Sequence, residues 1–318
     1  MPIDRSSQDD DAGPQGGAGR AVALAACVIL APVAAFAAML GVDHALGGAG
    51  FARPYALRLS LPPASSQAGL PMIEGPLDSL RPLVVIDPGH GGHDPGAHGD
   101  QAQEKDLTLT LARALRDRLL AMGGVRVALT RDDDRYLLLE ERSGMARRLK
   151  ADLFLSIHAD SAGVDKATGA TLYTLSAKAS DEQAERMAAQ ENRADTVNGV
   201  ALAQTSTRVS AILVDLAQRH TAEQSADLAR LILREGEGRI RFRERALQSA
   251  GFVVLKSPDV PSVLFEAGYI TNPQDAAWLG SPEGRGGFAE ATAQAIRVYF
   301  ARRSDAAALS SEAASSAP

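Results

Sequence analysis

The sequence predicts an α/β fold: a largely parallel or mixed twisted sheet with helices on both faces, plus a helical insertion. Three observations carry this. Apolar runs of strand length alternate with segments of helical periodicity, the pattern of βαβ units. Runs such as LVVID (83–87) and DLFLSIHAD (152–160) are apolar almost throughout, as strands covered on both faces must be. From 177 to 245 the alternation stops, and only helical spacing is legible.

The elements follow in order. Residues 1–20 are a polar leader ending in Arg20. Residues 21–40, AVALAACVILAPVAAFAAML, carry no charge and show no polar face; they read as a secretory signal or an uncleaved membrane anchor, with AFA (35–37) a small-x-small pattern. Residues 41–81 are rich in Gly, Pro, Ala and Ser and read as a linker. The domain proper is expected over 82–303. After strand 83–87, Leu107, Leu111, Leu115 and Leu119 recur every four residues, one face of a helix. VRVALT (125–130) is a strand, 136–150 a helix, 152–160 and 170–176 strands. The insertion holds three helical patterns, around 180–197, 206–220 and 222–236; the last two place Val209, Ile212, Leu213 and Leu216 together, then Leu228, Leu231 and Ile232. FVVLK (252–256) and SVLFEAG (262–268) are strand-like, and 286–303 is a closing helix. The Ala- and Ser-rich tail, 304–318, is expected to be disordered.

Composition removes several function classes. A net charge of −6 over 318 residues argues against a nucleic-acid binder that works by phosphate neutralisation. A single cysteine, Cys27, excludes an intramolecular disulfide and a cysteine-based zinc site.

The chemistry converges at one edge. Open parallel sheets bind ligands beyond the carboxyl ends of their strands. His90 lies three residues past LVVID, His158 falls near the end of DLFLSIHAD, and Glu266 ends SVLFE. Glu104 opens the helix after a glycine loop, in a first turn whose free N–H groups and dipole favour a carboxylate. The glycines let the loop bring His90 and Glu104 to one point. Two imidazoles and one carboxylate are a ligand set for a catalytic zinc with an open fourth position, and Glu266 is placed to act as the base of an amide hydrolysis. His93 and His98 on the same loop read as solvated or substrate-edge residues; His44 and His220 have no metal-ligand context.

At these residues the sequence resembles the zinc-dependent N-acetylmuramoyl-L-alanine amidases, the cell-wall amidase family that includes the division amidases of Gram-negative bacteria. The resemblance rests on VVIDPGHGGHDPGA, EKDLTL, LTRDDDRYLLLEERSGMA, ADLFLSIHADS, GATLYTLS and GFVVLKSPDVPSVLFEAGYITNP, in that order. It implies one zinc held by His90, Glu104 and His158, Glu266 as the catalytic glutamate, and hydrolysis of the amide between N-acetylmuramic acid and L-alanine in peptidoglycan. It also implies that a glutamate of the insertion occupies the metal in the resting enzyme. Glu191 is the candidate by position, with Glu185 and Glu182 as alternatives. The implied partners are peptidoglycan and a periplasmic activator with a LytM-type domain, and also the inner membrane if 21–40 is retained; the implied location is the periplasm, in cell-wall remodelling and daughter-cell separation. The sequence departs from many division amidases in having only 41–81 before the catalytic domain, too short for a wall-binding module. Two other readings compete: a zinc carboxypeptidase-like peptidase, which would want an arginine pocket, and a non-catalytic peptidoglycan-binding or activator protein, which the presence of all four site residues disfavours.

Overall fold

The computed structural model describes residues 69–99, 102–161, 167–197, 200–201 and 211–315, with isolated helical positions at 30, 34, 37 and 38. The chain divides into two units, Met1–Ser66 and Gln67–Pro318. The leader and nearly all of 21–40 lie outside the described residues, as does the first part of the expected linker. Among the described residues no helix is long and apolar enough to cross a membrane.

The second unit is built on a six-stranded mixed sheet of order β2-β1-β3-β8-β4-β7. Its strands are β1 (Leu83–Pro88), β2 (Arg126–Leu129), β3 (Leu153–His158), β4 (Ala170–Leu175), β7 (Phe242–Ala250) and β8 (Ser262–Glu266). All neighbours run parallel except β4 and β8. β1, β3 and β8 are buried at every position, which explains their near-continuous apolar sequences.

Alternate side chains still feed two separate cores. Val84, Ile86, Leu155 and Phe265 face α1 (Glu104–Met122), α4 (Ala211–Gly236) and α6 (Pro282–Ser315) through Leu111, Leu115, Leu228, Ile232 and Ile296. Leu83, Val85, Phe154 and Leu264 face α2 (Leu139–Arg148) and α3 (Glu182–Glu191) through Leu139, Ala146, Ala184, Met187 and Ala188. A short helix α5 (Pro273–Gly280) and a two-residue hairpin, β5 (Thr196–Val197) with β6 (Val200–Ala201), complete the elements.

Four expectations change. The stretch read as free of strands holds the β5–β6 pair, after a first helix that stops at Glu191, and ends in β7, a charged edge strand paired on one side only, so its FRERALQSA sequence lacks the apolar signal of the central strands. FVVLK is not a strand: Val253–Leu255 is a 3-10 turn, apolar because Val254 and Leu255 fill the second core. The two helical patterns of 206–236 join in the single helix α4; the face from Val209 to Leu216 lies outside the residues whose side chains are described. The closing helix continues to Ser315 through the tail expected to be disordered, where alanine favours helix and no Gly or Pro breaks it. Within the expected linker, Glu74 already bridges antiparallel to Val127, and the Arg126 guanidinium donates to the carbonyls of Ser79 and Arg81, covering the free edge of β2.

Phe265 is fully buried, with its ring 5.0 Å from Phe288 and 6.4 Å from Phe242. Phe265→Ala should cost about 3–5 kcal/mol, read as a shift in the chemical denaturation midpoint.

Candidate metal centre

Strand register builds the site. His158 lies directly opposite Glu266 across β3 and β8, and Pro88 opposite Ile157 across β1 and β3, so three strand ends stop level. The loop from Gly89 then has to fold back tightly. His90 itself takes a left-handed conformation, φ 61°, which costs a non-glycine residue about 1–2 kcal/mol.

The conformation is held from behind. Arg142, on the buried face of α2, donates to the His90 carbonyl at 2.7 Å, to the Pro88 carbonyl at 2.7 Å and to Asp87 at 2.9 Å. Arg131 donates to the carbonyls of Pro88, Gly89 and Lys105 at 3.0, 2.7 and 2.8 Å. Burial, aided by the charge of Arg142, lowers the Arg131 pKa to about 10, still charged at neutral pH. Asp87 also accepts from the Thr130 and Ser156 hydroxyls at 2.6 and 2.8 Å. Sequence reasoning missed this frame; its one signal was charged residues inside otherwise apolar surroundings.

Two of the glycines stand directly against the donor side chains. At Gly96, φ 65°, a Cβ would stand 2.6 Å from both Glu104 Oε2 and His90 Cδ2; at Gly89 it would stand 2.5 Å from His158 Cε1.

The structure brings His90, Glu104, His158 and Glu191 together, one donor atom from each lying within 4.8 Å of the others. His158 Nδ1 is 3.0 Å from Glu191 Oε2 and 3.2 Å from Glu104 Oε1; His90 Nε2 is 3.2 Å from Glu104 Oε2 and 3.6 Å from Glu191 Oε2. At such distances direction decides: His90 Nε2, His158 Nδ1 and Glu191 Oε2 are all buried and none makes a hydrogen bond. Their partners are in place elsewhere. His90 Nδ1–H donates to Asp94 Oδ2 at 2.8 Å, leaving Nε2 as the free donor atom toward the centre. Glu104 accepts from the backbone N–H of Ala97 and Ala159, each at 2.8 Å.

The electrostatics fit a divalent cation. Burial opposes charge on His90, yet Glu104 and Glu191 overcome it and push its pKa up to about 10. His158 is raised in the same way, against burial, by Glu191 and Glu104. Burial likewise opposes ionisation of Glu104, but His90 and His158 hold its carboxyl well below the usual range. The carboxylates thus demand about two positive charges at one point, and a divalent ion on these donors would replace the two protons.

Glu266 is fully buried beside them, accepts from the Asp160 N–H at 3.2 Å, and has its other oxygen unpartnered. Burial raises its pKa well above the usual range, helped by Glu191, Glu104 and Asp160 and opposed by His158. Asp160 is raised to about 7 by burial, then by Glu191 and Glu104.

Other candidates fall elsewhere. His93 packs on Tyr136 with ring centroids 4.1 Å apart, His98 bridges to Gln103, and His220 meets Gln224. His44 lies outside the described residues. Glu182 and Glu185 are exposed. The end of α3 is fastened around Glu191: Gln190 donates to Asp160 at 2.6 Å, the Asn192 side chain bonds the Gly251 carbonyl and the Val253 N–H, and Asp195 accepts from Tyr136 and the Leu139 N–H. A cavity of about 640 Å³ lined by Leu175, Thr221, Lys256 and Pro258 includes none of the five site residues.

A family model for N-acetylmuramoyl-L-alanine amidase matches residues 84–298. The N-acetylmuramoyl-L-alanine amidase AmiA of Salmonella typhimurium is 40% identical over 220 residues, 69% of this chain and 76% of the relative. The amidase AmiC of Neisseria meningitidis is 36% identical over 223 residues, 69% of this chain and 53% of that protein. The CwlD amidase from Clostridioides difficile, solved in complex with the GerS lipoprotein, superposes with a TM-score of 0.51 over 69% of this chain and 98% of that one; at 22% identity this is a likeness of fold alone.

Arg142→Met strands the buried Asp87 and releases the His90 carbonyl. It should cost about 3–5 kcal/mol in denaturant unfolding. Gly96→Ala should instead keep the fold and weaken zinc binding in a competitive chelator titration, since its Cβ collides with two of the donor side chains.

Proposed function

The chain belongs to the N-acetylmuramoyl-L-alanine amidase family and is an amide hydrolase of peptidoglycan; we propose that it is a one-zinc enzyme kept closed by its own Glu191. One observation carries this reading: His90 Nε2, His158 Nδ1 and Glu191 Oε2 converge with Glu104 while lacking any hydrogen bond. The zinc ligands are His90, Glu104 and His158.

Bound zinc would supply a Lewis acid that activates water near neutral pH and polarises the scissile carbonyl. The protein supplies the rest. Asp94 orients the His90 imidazole, and the Ala97 and Ala159 N–H groups orient Glu104. Glu266, buried and with a raised pKa, takes a proton from water and delivers it to the leaving nitrogen of L-alanine. The carboxyl product remains on N-acetylmuramic acid, and the stem peptide leaves with a free amine.

Glu191 closes the site by filling the position a water or carbonyl oxygen would take. Opening means displacing the end of α3, which requires a partner that binds the displaced state better. We assign that part to a periplasmic activator with a LytM-type domain, and the enzyme to the periplasm, where it would act in daughter-cell separation. The carboxypeptidase-like alternative needs a free arginine for a terminal carboxylate; Arg131 and Arg142 are committed to Asp87 and to backbone carbonyls.

The test is hydrolysis of purified peptidoglycan by the full chain, with products identified by mass. Glu191→Ala should release stem peptides beginning with L-alanine faster than wild type in the absence of an activator; an equal basal rate rejects Glu191 as the lock. Glu266→Gln should bind zinc normally and lose about 100-fold or more in turnover. His158→Ala should lose both zinc and activity, and full zinc occupancy there would remove it from the ligand set.

A further inference from the structure

Asp160 and Gln190 meet beside the metal centre, and neither has a part in holding metal or carrying the water's proton. Asp160 is 1% exposed. Its backbone N–H donates to the base Glu266; its Oδ1 accepts from Gln190 Nε2 at 2.6 Å and from the Ser161 N–H at 2.5 Å; its Oδ2 is buried with no partner. Burying a carboxylate against three others with one oxygen unsatisfied is costly.

Gln190 is an exposed residue of α3 whose amide reaches inward to that carboxylate, while the next residue, Glu191, sends an oxygen to the point shared by the metal donors. The α3 end therefore presents two groups together: an oxygen at the metal donors and an amide N–H at Asp160. A scissile amide presents the same pair, its carbonyl oxygen and its nitrogen-borne hydrogen.

We propose that Asp160 is a substrate-binding residue that accepts the N–H of the alanyl nitrogen, and that Glu191 and Gln190 close the site by standing in for the substrate's carbonyl oxygen and N–H. The proposal rests on the amidase and closed-site reading above. It also gives Asp160 a use during reaction. When the C–N bond breaks, the water oxygen stays on the carbonyl carbon and the nitrogen gains the proton held by Glu266. A carboxylate beside a nitrogen that is becoming an amine, and then an ammonium, binds it more strongly as the reaction proceeds.

The two roles of Asp160 oppose each other, which makes them separable. If it only fastens α3, its loss opens the site and does nothing further once the lock is gone. If it binds substrate, its loss still harms an enzyme already opened. The experiment uses the zinc-loaded full chain carrying Glu191→Ala, with matched zinc content and thermal midpoint across variants. Adding Asp160→Ala should lower kcat/KM on peptidoglycan by at least about tenfold, and Asp160→Asn, which keeps an acceptor oxygen, should restore much of the loss. In Glu191→Ala/Glu266→Gln, where turnover is slowed by about 100-fold or more, the Kd for N-acetylmuramoyl-L-alanyl-D-isoglutamine should weaken by a similar factor with Asp160→Ala and less with Asp160→Asn. Unchanged kcat/KM and Kd in the opened Asp160→Ala chain would reduce Asp160 to a fastening for α3, and so would Asn behaving as badly as Ala in binding. The binding arm needs no hydrolysis, so a failure of the amidase reading itself, seen as no stem peptide released by Glu191→Ala alone, is distinct from a failure of this one.

Discussion

The buried pair between Asp87 and Arg142 is the interaction on which the rest of the site depends. Asp87 belongs to β1, an interior strand beside the edge strand β2, and gathers Thr130 from beyond β2, Ser156 from β3 and Arg142 from α2. Arg142 passes the constraint on to the carbonyls of Pro88 and His90. The left-handed backbone at His90 is unfavourable by about 1–2 kcal/mol, and a charge-assisted hydrogen bond to its carbonyl contributes about 1.5–3 kcal/mol in return. Without that frame the glycine loop has freedom but no direction.

The same helix ties the His90 loop to the end of α3 that carries Glu191, the proposed lock. The free N–H of Leu139 at the start of α2 is bound by Asp195, four residues beyond Glu191, and Tyr136 bonds the same side chain. Arg142 sits one turn further along α2. The end of α3 is thus held by a network of polar contacts rather than by a large apolar interface. α3 buries Ala184, Met187 and Ala188 and little else that is apolar. The second core continues beneath α3 through Phe154, Leu264 and Phe252.

Burial gives the centre its character. Four carboxylates and two imidazoles stand within a water-poor pocket at the level ends of β1, β3 and β8. In such surroundings each charge is set by its neighbours: the imidazoles are driven to be positive, Glu104 to be negative, Glu266 toward protonation. A divalent cation on these donors would resolve the competition, with Glu266, the proposed base, beside it.

How much of this was legible follows from the kind of signal each feature leaves. The central strands wrote themselves as apolar runs because both faces are covered, and their ends marked His90, His158 and Glu266 at a shared edge. β7 escaped because an edge strand with one neighbour keeps charged residues, and the 3-10 turn at Val253–Leu255 imitated a strand because burial, not pairing, made it apolar. By itself the sequence determined the fold class, the sheet edge and the residues that gather there, since local periodicity and strand ends are written along the chain. Only the tertiary structure decided that Arg142 holds His90, that Gln190 faces Asp160, and that Glu191 rather than Glu182 or Glu185 reaches the centre. These depend on how α2 and α3 are rotated and seated against the sheet, and packing between elements distant in sequence sets that orientation.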